Sequence, residues 1–168
     1  MNKAGVFDRD GTLIKDTGFL CDPEDVELLD GVKDTLIEMK NRGYLIGVVT
    51  NQSGIGRGMY NESDCIRVCQ KMEELLGFEL DALEICPHRP QDGCRCRKPS
   101  PYMIHKALED MNCDLPEAFF AGDKRSDVEA GRNAGVKTVW CDFGKPGEDA
   151  SDIAEITISQ FSEILDYL

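Results

Sequence analysis

Two aspartates separated by one residue end the first apolar run of the chain. The run at 5–7 leads into Asp8 and Asp10, and a Gly-Thr pair at 11–12 turns the chain. Because side chains alternate along an extended segment, Asp8 and Asp10 point the same way while Arg9 points elsewhere. Neighbouring carboxylates repel each other unless a cation lies between them, so the spacing indicates a hard metal such as Mg²⁺. The alternative is a strand followed by an acidic turn.

A second cluster of possible metal ligands lies at 86–96, where three cysteines and one histidine fall within eleven residues. Cys86 and His88 are separated by one residue, and so are Cys94 and Cys96. Four sulfur and imidazole ligands in a tight loop suit tetrahedral Zn²⁺ and leave no coordination position open. A closed site of this kind is structural, so the sequence predicts a structural zinc.

Other polar residues stand where further apolar runs end. Thr50 follows one such run and opens a glycine-rich loop at 51–58, which has the alternative interpretation of a flexible connection. Asp123 and Asp127 follow another run. Lys98 lies between the cysteine-rich loop and a helix start, a rigid way to aim an ammonium group, although a solvated surface lysine is the usual alternative. The carboxyl ends of parallel strands meet at one sheet edge, so we expect these groups to converge with the first aspartate pair.

The elements that must position these groups alternate between short apolar runs and helical periodicity. Strands are predicted at 4–7, 45–49, 80–85, 118–121 and 136–141. One helix is predicted between an N-cap at Asp30 and Gly43, and a second over 62–76 with Ile66 on its buried face. Three more are predicted from Ser100 to 111, after the acidic motif at 122–127 and ending at 134, and at 159–168. Residues 13–29 lack a period and are interpreted as a flap. This alternation predicts an α/β fold with a parallel sheet.

The composition restricts the class of protein. A chain of 168 residues fits a single domain over 1–168, with a core large enough to need no disulfides. A net charge of −13 argues against general affinity for nucleic acid or for an anionic membrane surface. No run reaches the length of a membrane span and no signal-peptide core is evident, so we expect a soluble, cytoplasmic protein that is monomeric. The eight cysteines are interpreted as metal ligands and buried small hydrophobes.

Together, these motifs resemble the haloacid dehalogenase (HAD) superfamily of phosphatases. Asp-x-Asp-Gly-Thr at 8–12, Thr50, Lys98 and Gly-Asp-x-x-x-Asp at 122–127 match its four motifs in order. Thr-Asn-Gln-Ser-Gly at 50–54 and the cysteine-rich loop resemble the branch that contains heptose-bisphosphate and histidinol-phosphate phosphatases. The resemblance implies a Rossmann-like three-layer α/β fold with a central parallel sheet and a zinc-binding loop. The intervals between motifs leave no room for a cap domain, so a capless HAD type is expected.

The resemblance also implies catalytic roles. Asp8 attacks phosphorus and forms an aspartyl-phosphate, which divides hydrolysis into two displacements. Asp10 protonates the leaving alkoxide and later deprotonates the attacking water. Thr50 and Lys98 hold the phosphoryl oxygens.

The implied cofactors are Mg²⁺ and a structural Zn²⁺. Magnesium is expected on the Asp8 carboxylate, the Asp10 backbone carbonyl and Asp123, with Asp127 orienting the metal shell. Zinc is expected on the four cysteine and histidine ligands at 86–96.

Without a cap, substrate selection rests on loops around the site. The expected substrate-binding residues are Asp16, Thr17, Gly18, Phe19, Asn51, Gln52, Ser53, Arg57, Arg97 and Lys124. The three cations among them exceed what one metal-bound phosphoryl group requires, which favours a small phosphorylated metabolite with a second anionic group. D-glycero-D-manno-heptose 1,7-bisphosphate, losing its 7-phosphate, is the expected substrate. The short spacing between His88 and Cys94 is closer to the histidinol-phosphate type, so histidinol phosphate stays the alternative.

Two other classes share part of this chemistry. A response-regulator receiver is also a small acidic α/β domain that is phosphorylated on aspartate, but the Asp8/Asp10 pair and the cysteine-rich loop argue against it. A DNA 3'-phosphatase would need a basic stripe, which this acidic chain lacks.

Overall fold

Six parallel strands form a single sheet in the computed structural model, which describes all 168 residues. The strands are β1 (Asn2–Phe7), β2 (Tyr44–Asn51), β3 (Ala82–Cys86), β4 (Cys113–Gly122), β5 (Lys137–Cys141) and β6 (Ile156–Ile158). Their order across the sheet is β3-β2-β1-β4-β5-β6. The strand order therefore reverses beside β1, and open α/β sheets bind ligands at the carboxyl ends of the strands where this happens.

Helices cover both faces of the sheet. They are α1 (Val32–Asn41), α2 (Ser53–Gly56), α3 (Glu62–Leu76), α4 (Tyr102–Asp110) and α5 (Arg125–Ala134), with short 3-10 segments at Pro23–Asp25, Pro90–Asp92 and Phe161–Tyr167. α4 and α5 pack on one face, and α1, α3 and the last 3-10 segment lie on the other. The predicted three-layer α/β fold without a cap is confirmed. No helix combines the length and apolar character needed to cross a membrane.

The sheet separates the two large apolar clusters of the core, because strand side chains alternate between its faces. Val6 and Phe120 belong to the cluster beneath α4 and α5. Phe7 and Phe119 belong to the opposite cluster, where their rings pack edge to face with centroids 5.6 Å apart. A Cβ atom at Gly5 would lie 2.7 Å from Met39 Cε, so glycine at this point of β1 allows α1 to approach the sheet closely.

Several local predictions were wrong. α1 begins after Gly31, which has a left-handed φ of 78°, and Asp30 provides no cap. The reason is a tight turn in which the Val32 N–H donates to Leu29 O, which places residue 31 where glycine is favoured. Ile66 is exposed, because the buried face of α3 lies one residue away, on Cys65 and its neighbours. The terminal segment is a 3-10 helix, and α2 and β6 are too short to give a periodic signal.

Residues 13–29 form the predicted flap beside β1, but its base is part of the core. Leu13, Ile14, Leu20 and Val26 are buried in the cluster that also contains Phe7. The exposed tip contains two successive left-handed residues, Gly18 with φ 74° and Phe19 with φ 48°. The flap therefore has an anchored base and a sharply turned tip.

Candidate active site

The carboxyl ends of the three central strands bring the main predicted residues together. Asp8 directly follows β1, Thr50 is the next-to-last residue of β2, and Asp123 directly follows β4. The Asp8 N–H donates to Ala121 O at 3.0 Å, which continues the β1–β4 pairing beyond the strand. All three side chains are buried. Parallel pairing in register therefore aligns three strand ends at one point.

Lys98 is the buried cation of this site. Its Nζ lies 2.7 Å from Asp8 Oδ1, 2.8 Å from Asp127 Oδ1 and 3.1 Å from Val49 O. Asn51 fixes the lysine backbone, because its amide donates to Lys98 O at 3.3 Å and accepts from the Lys98 N–H at 3.0 Å. These contacts exclude the solvated surface lysine that the sequence left open.

Three carboxylates surround this one ammonium group. Oxygens of Asp8, Asp123 and Asp127 lie within 4.8 Å of one another. Burial opposes the charge on Asp8, but Lys98 outweighs it and lowers the pKa of Asp8, so this carboxylate is ionised. Burial and the neighbouring Asp8 raise the pKa of Asp127, and burial with both neighbours raises the pKa of Asp123 to about 8. Clustered hard oxygen donors with unbalanced negative charge fit a divalent cation such as Mg²⁺.

Asp10 is held from two sides at the floor of the same site. Gln52 Nε2 donates to Asp10 Oδ2 at 2.8 Å and also to Thr50 Oγ1 at 2.8 Å. The Tyr60 hydroxyl donates to Gln52 Oε1 at 2.6 Å and so fixes the amide orientation. On the other side, Arg9 Nη2 lies 3.1 Å from Asp10 Oδ2. Gln52, predicted to bind substrate, therefore also positions the carboxylate of Asp10.

A cleft of about 360 Å³ opens above these groups. Most of the residues predicted to bind substrate line it: Asp16, Gly18, Phe19, Asn51, Gln52, Ser53, Arg97 and Lys124. Asp8, Asp10, Lys98 and Asp127 form part of the same wall. Only three of its fifteen lining residues are hydrophobic, which suits a charged, hydroxyl-rich ligand.

Two predicted substrate-binding residues lie outside the cleft lining. Thr17 is exposed on the flap. The Arg57 guanidinium lies over the Phe19 ring, 5.6 Å from its centroid, and Arg57 Nε donates to Ser53 Oγ at 3.3 Å. Arg57 thus connects the glycine-rich loop to the flap tip.

Sequence reasoning missed several groups at this site. Lys145, in the loop after β5, lies 3.0 Å from Asp16 Oδ2 and 3.6 Å from Asp123 Oδ2, so it links the flap to the carboxylate cluster. Tyr60, Ser126 and Leu20 line the cleft. A signal for Lys145 exists in the sequence, since it stands in a Gly-Lys-Pro-Gly loop shortly after an apolar strand.

The four predicted zinc ligands converge in the loop after β3. Cys86 Sγ lies 3.1 Å from Cys96 Sγ and 3.7 Å from Cys94 Sγ, and His88 Nδ1 lies 3.3 Å from Cys96 Sγ. Ligands on a tetrahedral zinc stand about 3.8 Å apart when the metal–sulfur bonds are ~2.3 Å. None of these cysteines forms a disulfide. The donor set and its spacing are therefore compatible with zinc.

The fold and the carboxylate-rich strand ends are those of a HAD-like hydrolase. The HAD-hydrolase-like family model matches residues 95–166. The chain is 41% identical over 140 residues to the D-glycero-beta-D-manno-heptose-1,7-bisphosphate 7-phosphatase of Helicobacter pylori, covering 81% of each protein. It is 36% identical over 175 residues to the protein of the same name from Pasteurella multocida, covering 98% of this chain and 95% of that protein.

A solved structure agrees with these relatives. The D,D-heptose 1,7-bisphosphate phosphatase from B. bronchiseptica, complexed with magnesium and phosphate, superimposes with a TM-score of 0.85 at 25% identity and covers 98% of this chain and 97% of that one. The chain belongs to the heptose-bisphosphate phosphatase family of the HAD superfamily. It is a phosphatase.

Proposed function

We propose that this phosphatase removes the 7-phosphate of D-glycero-D-manno-heptose 1,7-bisphosphate through an aspartyl-phosphate on Asp8, with Mg²⁺ as cofactor. One observation carries the proposal: the buried Asp8–Lys98 pair lies in a cleft with two further cations, Arg97 and Lys124, neither of which forms an ion pair within the protein. The relatives' names and the magnesium and phosphate of the B. bronchiseptica structure support it.

The chain's own residues can perform both displacements. The ionised Asp8 carboxylate attacks phosphorus, the bond from phosphorus to the sugar oxygen breaks, and Asp10 gives its proton to that oxygen. In the second displacement, Asp10 takes a proton from water, the water oxygen attacks phosphorus, and the bond to Asp8 breaks to release phosphate. Asp10 ends protonated, as it began. Lys98 remains beside the Asp8 carboxylate throughout and balances charge on the phosphoryl oxygens.

Asp8, the Asp10 backbone carbonyl and Asp123 would hold Mg²⁺, with Asp127 orienting the metal shell. Bound there, the ion screens the nucleophile from the phosphate charge and stabilises the transition state. The Cys/His cluster would hold a structural Zn²⁺ that keeps the segment leading to Arg97 and Lys98 in place. The backbone carbonyl of His88 accepts from Arg97 Nη1 at 3.4 Å, which connects this cluster to a cleft cation.

Charge distribution favours a bisphosphate over histidinol phosphate. Histidinol phosphate carries cationic groups that would need a free carboxylate near the cleft mouth. Asp16 is placed there, but Lys145 already occupies it at 3.0 Å. Arg97 and Lys124, by contrast, have no carboxylate partner and line the cleft. A second phosphate on the substrate would find these cations available.

A side-by-side phosphate-release assay tests the substrate. We expect kcat/KM for heptose 1,7-bisphosphate, in either anomer, to exceed that for histidinol phosphate by at least ~10-fold, equivalent to about 1.4 kcal/mol in transition-state binding. The opposite ranking would assign the enzyme to histidinol phosphate and leave the catalytic roles unchanged.

Arg97→Ala should erode this preference more than it slows hydrolysis of a simple monoester. Arg95→Ala is the matched control, because Arg95 belongs to the same loop but lies outside the cleft, with its guanidinium over the Tyr102 ring at 4.7 Å. Equal effects of both substitutions on the substrate preference would remove Arg97 from the binding site. Cytoplasmic location and a monomeric state stay predictions, which cell fractionation and size-exclusion chromatography would check.

A further inference from the structure

Arg9 is the largest side chain that the protein buries completely. It has no exposed surface, and the prediction that it points away from Asp10 was wrong, because β1 ends at Phe7 and the chain turns at 9–12. A guanidinium has five N–H donors and never loses its charge in proteins, so full burial is tolerated only when its neighbours accept hydrogen bonds and balance the charge.

The two ends of the Arg9 guanidinium contact different partners. Nε donates to Asp10 Oδ2 at 3.2 Å and Nη2 donates to Asp10 Oδ1 at 3.3 Å, which is a two-point grip on one carboxylate. Nη1 points the other way and lies 3.5 Å from the sulfur atoms of both Cys65 and Cys69. Sulfur is a weak acceptor. The two sulfur atoms occupy Nη1, so Nε and Nη2 remain directed at Asp10.

One structural element supports Asp10 from both sides. Cys65 and Cys69 lie one turn apart on α3 and face the same direction. Tyr60, two residues before that helix begins, fixes Gln52, whose amide holds the opposite side of the Asp10 carboxylate. The side chain of Asp10 nevertheless keeps 19% of its surface exposed towards the cleft. Its orientation is therefore fixed while one face stays open to substrate.

From this geometry, we infer that Arg9 is a positioning residue that aims the Asp10 carboxylate for proton transfer, and that Cys65 and Cys69 position Arg9. The inference rests on the acid–base role proposed for Asp10. An ion pair that merely stabilises the fold would affect all substrates equally. A misaimed general acid slows only those substrates whose leaving group needs a proton.

Arg9→Met and Arg9→Lys test the inference with two probes, p-nitrophenyl phosphate and glycerol phosphate. The nitrophenolate leaves without help, whereas the alkoxide requires protonation. We expect Arg9→Met to lower kcat/KM for glycerol phosphate by ~100-fold or more and that for p-nitrophenyl phosphate by less than ~5-fold. Arg9→Lys keeps the charge but cannot grip both oxygens, so it should recover only part of the loss. Stopped-flow mixing of Arg9→Met with p-nitrophenyl phosphate should show a nitrophenolate burst, because the second displacement also needs Asp10.

Cys69→Ala keeps the test decisive if the Arg9 variants fail to fold. It should shift the ratio of the two kcat/KM values in the same direction by ~3-fold or more. Cys113→Ala, the removal of a buried thiol on β4 that bonds to Asn2 O, is the matched control and should leave the ratio unchanged. An unchanged ratio in Arg9→Met and Cys69→Ala would overturn the inference.

Asp10→Asn distinguishes failure of the positioning role of Arg9 from failure of the proposed acid–base role of Asp10. If Asp10→Asn discriminates between the probes but the Arg9 and Cys69 variants do not, only the positioning role is overturned. If Asp10→Asn does not discriminate either, the acid–base assignment fails and the inference fails with it.

Discussion

Replacing Lys98 with methionine should destabilise the protein strongly, because the site concentrates negative charge around one ammonium group. The side chain of Lys98 is 2% exposed, and its partners Asp8 and Asp127 are 8% and 1% exposed. Methionine retains much of the apolar stem but leaves both carboxylates without their cation. Breaking a buried pair in this way costs about 3–5 kcal/mol. For a chain of this size that corresponds to a fall of about 6–20 °C in Tm.

The loss should depend on pH in a defined direction. Lys98 lowers the pKa of Asp8 in the folded state, so this contribution is present above the unfolded aspartate pKa of about 3.9 and is lost as pH falls through the lower folded value. The same partners raise the pKa of Lys98, despite the opposing effect of burial, so its charge persists through neutral pH. The difference between wild type and Lys98→Met should therefore be full at pH 7 and shrink below about pH 4. Excess Mg²⁺ should restore part of it, since the ion supplies positive charge to the same carboxylates.

Urea denaturation in EDTA, followed by circular dichroism, measures the loss directly. Lys40→Met is the matched control, because Lys40 forms a partly exposed ion pair with Asp81 at 3.0 Å. Removing that pair should cost less than about 1 kcal/mol. If Lys98→Met lost no more stability than Lys40→Met, or lost as much at pH 3.5 as at pH 7, the argument for an uncompensated carboxylate cluster would be wrong.

Three other predictions concern the nucleophile and the metals. Asp8→Asn should fold normally but keep less than a few per cent of wild-type turnover, measured as phosphate release from p-nitrophenyl phosphate. Substantial remaining activity would exclude Asp8 as nucleophile. Metal analysis should find about one zinc per chain, and Cys96→Ser should lose it along with thermal stability, because a closed four-ligand site contributes directly to folding; an unchanged Tm in zinc-free protein would refute this. Mg²⁺ affinity, measured by calorimetry, should rise as pH increases towards 8 and then level off, because burial and neighbouring carboxylates raise the pKa of Asp123 to about 8 and the proton competes with the metal. A pH-independent affinity would show that Asp123 binds no competing proton.

Features that depend on short-range sequence pattern could be predicted before the fold was known. Asp8 and Asp123 could be placed at one sheet edge because each directly follows a buried apolar run, and parallel strands bring such ends together. The Cys/His cluster could be predicted because Cys86, His88, Cys94 and Cys96 lie within one loop, so their convergence needs no knowledge of the remaining fold.

Contacts that depend on how distant elements pack could not be predicted from local sequence pattern. Arg9 contacts Cys65 and Cys69 across 56 and 60 residues of chain, and these contacts depend on how α3 packs against the flap and α1. Lys145 reaches Asp16 across 129 residues because a loop after β5 folds back over the flap. Local periodicity cannot encode such meetings, since each depends on the relative placement of elements that are joined only through the complete core.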